Sequence, residues 1–436
     1  MTQHPDRTKE PAVRAFDTLR MPEPTLTKLP NGIELYALNA GDQPLNRITV
    51  SYASGLMEAV IPDALSLAAQ LLREGTESYT GSQVSETLDF HGAWLKCDAG
   101  SHDTTVSLWS LNKSTVNLLP LLKEILTSPA FPEKEFATLR DKHKARYLLS
   151  QKNVGYMAAQ IDKKNVFGEN HPMSRILNAE EIESLTTDDV RAAYKQAFST
   201  APRVFVTGEI TDLLPEIIEF FSEFEFADSS HPAQNILPMR PVAAGTVATC
   251  NVDSEHQAAL AVSIPAIDRS HPDYIPLRLV VMALGGYFGS RLMANIREDK
   301  GYTYGINGNL LGYREGGVVS IMTNTAPQYV DSVISEIRHE LNRLREEPMD
   351  EEELAIVRNN AMSSLAAILD TPFSIMDHHI SHFHTGTPDD YFNRQLEAIK
   401  SLSSNQIMEL AQKYLDPQRM IISIARPTAE SAAAGE

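Results

Sequence analysis

VSLWSLNKSTVNLLPLLKEILTSPAFPEKEFATLRDKHKA, residues 106–145, reads as a short strand, a helix, a turn containing proline, and the acidic start of a second helix. The same order returns in VSIMTNTAPQYVDSVISEIRHELNRLREEPMDEEELAIVRNNAM, residues 319–362. A second pair of stretches agrees. ESLTTDDVRAAYKQAFSTAPRVFVTGEI, from Glu183, and KSLSSNQIMELAQKYLDPQRMIISIARP, from Lys400, each give a Ser/Thr-capped helix, a turn with proline and a strand. The units follow one another identically in both halves, so the chain reads as a duplicated fold.

Working outward, strands such as RITVSYASG (from Arg47), RVFVTGEI (from Arg203) and ALAVSIP (from Ala259) alternate with long amphipathic helices. Hairpin-like neighbours favour mostly antiparallel sheets, each packed by helices on one side, hence α+β. The expected division is a loose tail over 1–22, one domain over 23–226, a linker over 227–245 and a second domain over 246–430. The linker, ADSSHPAQNILPMRPVAAG, is rich in Pro, Ser and Ala and lacks helical periodicity.

The chain has 436 residues, 42% of them hydrophobic and 22% charged, as in a soluble globular protein. A formal net charge of −19 opposes general nucleic-acid binding and attraction to anionic membrane surfaces. No run of about 18 apolar residues is present, so no membrane span is expected. Cys97 and Cys250 make neither a disulfide framework nor a C-x-x-C zinc motif. With no apolar signal region at the start, they suggest a cytoplasmic location.

The helix PDALSLAAQLLREGT, residues 62–76, is unusual. Asp63 is placed to cap it and Gly75 to close it. Leu65, Leu67, Leu71 and Leu72 supply an apolar face, yet Ser66, Gln70 and Arg73, with Ala69 beside them, form a stripe with no evident chemistry.

Further on, LGGYFGSRL (284–292), IREDKGYTYG (296–305) and EEPMDEEEL (346–354) occur in that order, after LPNGIELYAL (29–38), REGT (73–76) and FGENHP (167–172). Together these pieces resemble the pitrilysin/insulinase zinc metallopeptidases, in the shorter branch that includes the mitochondrial processing peptidase. The resemblance implies two homologous α+β domains and, in active members, H-x-x-E-H on a helix just before a Gly-Thr turn. Two imidazoles at i and i+4 then bind zinc while the intervening Glu acts as general base. Anchored on Gly75 and Thr76, those positions are Ser66, Ala69 and Gln70 here. The third ligand, a Glu on a later helix, would fall near Ala145 or Arg146. None of these supplies a zinc donor or a base, so the family's zinc is expected to be absent and the chain not to be an enzyme by itself.

The resemblance also implies a substrate-binding edge strand at FHGAWLKCD (90–98), where Lys96 takes the place of a substrate-holding Asn. It further implies that Arg297 and Tyr304, seven residues apart, reach the substrate. In two-subunit members of the branch one partner carries the zinc and the other carries the Arg/Tyr pair. The expected partners are therefore an active zinc-peptidase subunit of the same family and a peptide substrate, and an isolated copy can pair with itself. The alternative is a structural or peptide-binding scaffold without a protease partner.

Other groups carry less. GGYFGSR, Gly285–Arg291, lacks the Lys-Ser/Thr ending of a phosphate loop, and its glycines suit close backbone approach. His378 and His382 stand at i and i+4 in DHHISHFHTG and form the one alternative metal pair. Cys97 and His91 are read as structural residues along one strand.

Overall fold

The computed structural model describes residues 8, 18–226, 236–253 and 256–428. The tail through residue 17, apart from Thr8, and residues 227–235 of the linker lie outside it.

The first half contains β1 (Thr25–Lys28), β2 (Glu34–Asn39), β3 (Leu45–Tyr52), α1 (Pro62–Leu71), α2 (Gly81–Phe90), β4 (Trp94–Ala99), β5 (Thr104–Leu111), α3 (Asn112–Thr127), α4 (Glu133–Ser150), α5 (Val154–Phe167), α6 (Ala179–Ser184), α7 (Thr187–Ala197), β6 (Arg203–Gly208) and α8 (Leu214–Ser222). The second contains β7 (Val247–Val252), β8 (Ala258–Ala266), α9 (Tyr274–Gly285), a π-helical turn Met293–Asp299, β9 (Ile306–Gly312), β10 (Gly317–Thr325), α10 (Val330–Glu346), α11 (Glu351–Ala367), α12 (Pro372–Thr385), α13 (Tyr391–Ser401), α14 (Ser404–Tyr414) and β11 (Ile421–Pro427). Residues 236–245 form neither helix nor strand.

The first sheet has six strands in the order β1-β2-β6-β3-β5-β4, and the second has five in the order β7-β11-β8-β10-β9. Without β1 the two orders superimpose strand for strand. Each sheet is antiparallel except for one parallel pair, β2 with β6 and β7 with β11. The stretches that revealed the repeat occupy equivalent places, β5-α3-α4 and β10-α10-α11. Thr186 and Ser403 cap α7 and α14 by accepting from the backbone N–H of Asp189 and Gln406.

Helices on one side of each sheet were expected, and the structure adds cover on the other. Alternation along β8 explains why. Leu260, Val262 and Ile264 enter the second half's main core, while Ala259 and Ala261 turn the other way. There they meet Val154 and Ala158 of α5, a helix of the first half. Reciprocally, α12 of the second half lies over β2 and β6 of the first sheet, with Ile375, Met376 and Ile380 in one core with Leu38 and Phe205. Each half thus lends one helix to the other's sheet.

Polar contacts fix these crossings. On α5, Asp162 accepts from the Ser263 hydroxyl at 2.8 Å, and Asn165 donates to Ser423 at 3.1 Å. Burial pushes the Asp162 carboxyl up to about 6, against the pull of the Ser263 and Ser423 hydroxyls. On α12, Asp377 pairs with Arg47 of β3 at 2.6 Å, and His379 reaches the Pro22 carbonyl at 2.9 Å. The end of the expected loose tail is accordingly packed, with Met21 buried in the core. Gly285 allows the close approach expected of it, since a Cβ there would stand 2.6 Å from the Gly308 nitrogen.

The alanines beneath α5 leave no room for larger side chains. Ala259→Leu is expected to lower stability by about 1–3 kcal/mol through overpacking. A urea titration would read this as a lower midpoint at unchanged slope. An unchanged midpoint would contradict the crossing.

Candidate functional site

The stripe lies on α1, as expected, and its side chains are a hydroxyl, a methyl and an amide. Ile61, not Asp63, is the N-cap residue, and Pro62 occupies the first turn. The Asp63 carboxylate instead meets His143 Nε2 of α4 at 2.7 Å, fastening α1 to α4. The helix ends at Leu71, and Gly75 serves the following turn at φ +140°. Within the stripe, Ser66 is half-buried and Ala69 is buried. Gln70 turns its Nε2 back to donate to the Ser66 carbonyl of its own helix at 3.1 Å. A hydroxyl, a methyl and an amide engaged with its own backbone do not fit zinc or a general base. Ala145 and Arg146 are both exposed on α4, and the guanidinium opposes a divalent cation.

β4 is the edge strand of the first sheet. Lys96 is exposed on its open face, paired with Asp98 at 2.7 Å. Cys97 faces the other way, into the core beside α1, and burial pushes its thiol up to about 12 against the opposing charge of Arg73. His91 is not on this strand; it is the C-cap residue of α2. Arg297 and Tyr304 flank the end of the π-helical turn. The Arg297 guanidinium lies 4.6 Å from the centre of the Phe288 ring, and Tyr304 is 91% exposed just before edge strand β9.

His378 and His382 meet on α12, with ring centres 4.2 Å apart and both Nε2 atoms buried without hydrogen-bond partners. Burial first, then neighbouring histidines and arginines, pushes both down to about 4, so both imidazoles are neutral at pH 7. The arginine charge that disfavours a proton, Arg269 and Arg278 at His378, also disfavours a cation. Among the described residues, no group of three or more His, Cys, Asp or Glu could hold a metal ion. A cleft of about 540 Å³ between the π-helical turn, α10 and α11 is lined by charged residues that include two ion pairs, Arg291 with Glu353 at 2.7 Å and Glu340 with Arg343 at 3.2 Å.

The sequence did not expose one junction. His102, in the turn between β4 and β5, is 6% exposed and lies between Glu58 at 2.8 Å and Glu315 at 2.6 Å, the latter from the β9–β10 turn of the other half. Asp103 and His384 meet alongside at 3.3 Å, and His384 also bonds Ser51 at 3.0 Å. Burial alone would lower the His102 pKa, but hydrogen bonds and charge from Glu315 and Glu58 raise it to about 9. Burial raises Asp103 to about 6, opposed by His102 and Arg314. No local motif marks this clasp, because its carboxylates are far away in sequence.

Comparison with known proteins agrees with this geometry. Residues 184–361 match the family described as Peptidase M16 inactive domain. Over this stretch the chain is similar to the M16 peptidases, the pitrilysin/insulinase group, and its sequence contains no H-x-x-E-H. Among its relatives is a Helicobacter pylori protein described as "Non-peptidase homolog YmxG", 22% identical over 82% of this chain and 83% of that one. A Pseudomonas fluorescens structure titled as a peptidase M16 inactive domain superimposes with TM-score 0.83 at 21% identity, covering 93% of this chain and 98% of that one. The ferredoxin protease FusC, solved as a mutant in complex with Arabidopsis ferredoxin, superimposes with TM-score 0.73 at 16% identity, covering 96% of this chain and 49% of that one.

The clasp makes stability depend on pH. His102 holds its proton more tightly folded than unfolded, so its contribution is complete below its ordinary value of 6.5 and is lost as pH rises through about 9. Urea midpoints of the native chain are expected to fall between pH 6.5 and 9 by more than those of His102→Gln. Parallel pH profiles would contradict the assignment.

Proposed function

We propose that this chain is the non-catalytic subunit of a two-subunit peptidase. It pairs with a relative that carries H-x-x-E-H and closes a peptide-binding chamber. The observation that carries this reading is the joint replacement of the metal donors and base that the resemblance implies, at Ser66, Ala69, Gln70 and Ala145 or Arg146, beside an Arg297/Tyr304 pair in which Tyr304 is exposed and Arg297 is half-buried. Arg297 is permanently charged and Tyr304 has a free-standing hydroxyl. Both suit donation to a substrate carbonyl or to the oxyanion formed when the partner's zinc site attacks it. Strand β4 offers unpaired main-chain groups to an extended peptide. The chain itself holds no zinc in this scheme.

FusC supports pairing indirectly. This chain matches about half of that protein, which is therefore long enough for a second unit of the same size. Cytoplasmic residence belongs to the same proposal and rests on the free thiols of Cys97 and Cys250.

The test is kinetic. Arg297→Ala, mixed with the zinc-bearing relative from the same organism, is expected to lower kcat/KM for a peptide by about 10²-fold, the scale of one lost transition-state donor. Tyr304→Phe is expected to lower it less. Turnover unchanged by both substitutions would overturn the chamber role.

A further inference from the structure

The chamber reading leaves open which peptides edge strand β4 accepts, and its two faces differ chemically. On the open face, Trp94 stacks on Trp109 of β5, with ring centres 5.1 Å apart and planes inclined by 12°. The register pairs these two residues directly. Trp109 is held from behind by Phe373 of α12, ring centres 4.6 Å apart, and by the Arg47 guanidinium 4.9 Å from its ring centre. Trp94 is the outermost member of this row and is 50% exposed. A half-exposed indole on an unpaired edge is an aggregation liability unless something covers it.

The other face belongs to Cys97, which packs beside α1. Arg73 follows α1 and is 59% exposed, with Glu74 no closer than 3.8 Å. Helix α1 packs against β4 on this face, and Arg73 stands just past the end of that helix.

A peptide added to β4 pairs with it residue for residue, and its side chains alternate between the two faces. Positions opposite Trp94 and Cys97 are three residues apart and therefore on opposite faces. We propose that β4 selects extended peptides carrying an aromatic or large apolar side chain, to continue the Trp109–Trp94 row, and a carboxylate three residues away, to meet Arg73. This inference rests on the chamber reading and names its substrate class. Aromatic cross-strand pairs and a complementary charge supply the selectivity, while main-chain bonds supply sequence-independent affinity.

The chain contains two tryptophans, both in this row, so intrinsic fluorescence reports the site directly. Blocked nonapeptides of threonine are titrated into the full chain. One probe has phenylalanine and glutamate three residues apart, one has them two apart, and one has lysine in place of glutamate. The first is expected to bind about tenfold more tightly than either other and to change the fluorescence. Arg73→Glu is expected to reverse the preference between the glutamate and lysine probes. A reversal cannot come from misfolding. Trp94→Ala is expected to abolish the preference for phenylalanine over alanine while keeping that for glutamate over lysine.

Equal binding of all probes, or a charge preference unchanged in Arg73→Glu, would overturn the selection. If the mixture with the zinc-bearing relative then still cleaves peptides, the chamber reading survives without it. If no probe engages either the chain or the mixture, both fall.

Discussion

The structure depends on covering the second face of each sheet. Central strands such as β6 and β8 are apolar on both sides, as strands sandwiched between layers must be. Each half has helices enough for one face. The other is closed by α5 in one direction and by α12 in the other, so neither sheet is complete without the opposite half. Small residues make the exchange geometrically feasible. Ala259, Ala261 and Ala425 let α5 lie close, and Asp162 finds its partners in Ser263 and Ser423. The His102 clasp adds a charged tie at the turns, where no apolar contact could hold Glu58 and Glu315 together.

This arrangement holds α1 in place without any metal ion. Helix α1 is held by Leu65, Leu67 and Leu71, all buried, each contributing roughly 1.5–3 kcal/mol by leaving water. Its tie to α4 is the Asp63–His143 contact, not a shared ion. The fold makes no energetic demand on the polar stripe. Gln70 donates its side-chain amide to the Ser66 carbonyl of its own helix, and Ala69 simply packs. The end of this helix is then open to other uses, and Arg73, just past α1, is a candidate for one.

Much of this was legible in the sequence because it is local. The repeated order of strand, helix, proline turn and acidic helix start marks the duplication, and Thr186 and Ser403 mark their helices by capping chemistry. The positions Ser66, Ala69 and Gln70 follow from the resemblance once it is anchored on Gly75 and Thr76. What was not legible is non-local. Nothing in VGYMAAQIDKKNVF says that Asp162 faces serines about a hundred residues or more away. His378, His379, His382 and His384 look like one cluster in sequence. In the fold the first and third face each other, His379 bonds Pro22, and His384 bonds Ser51. Asp63 looked like a cap because caps are chosen locally, but α4 offers it an imidazole that the helix end cannot match. Trp94 carried a signal that could have been used, a large aromatic at an alternating position of a polar edge strand.

The central claim is that α1 and α4 no longer form a zinc site, and zinc content tests it most directly. The chain would be prepared without a histidine tag or metal column, dialysed against equimolar zinc, and analysed for bound metal with and without Gln70→Ala. The account predicts well under one zinc per chain and no difference between the two proteins. One zinc per chain, lost in Gln70→Ala, would contradict it.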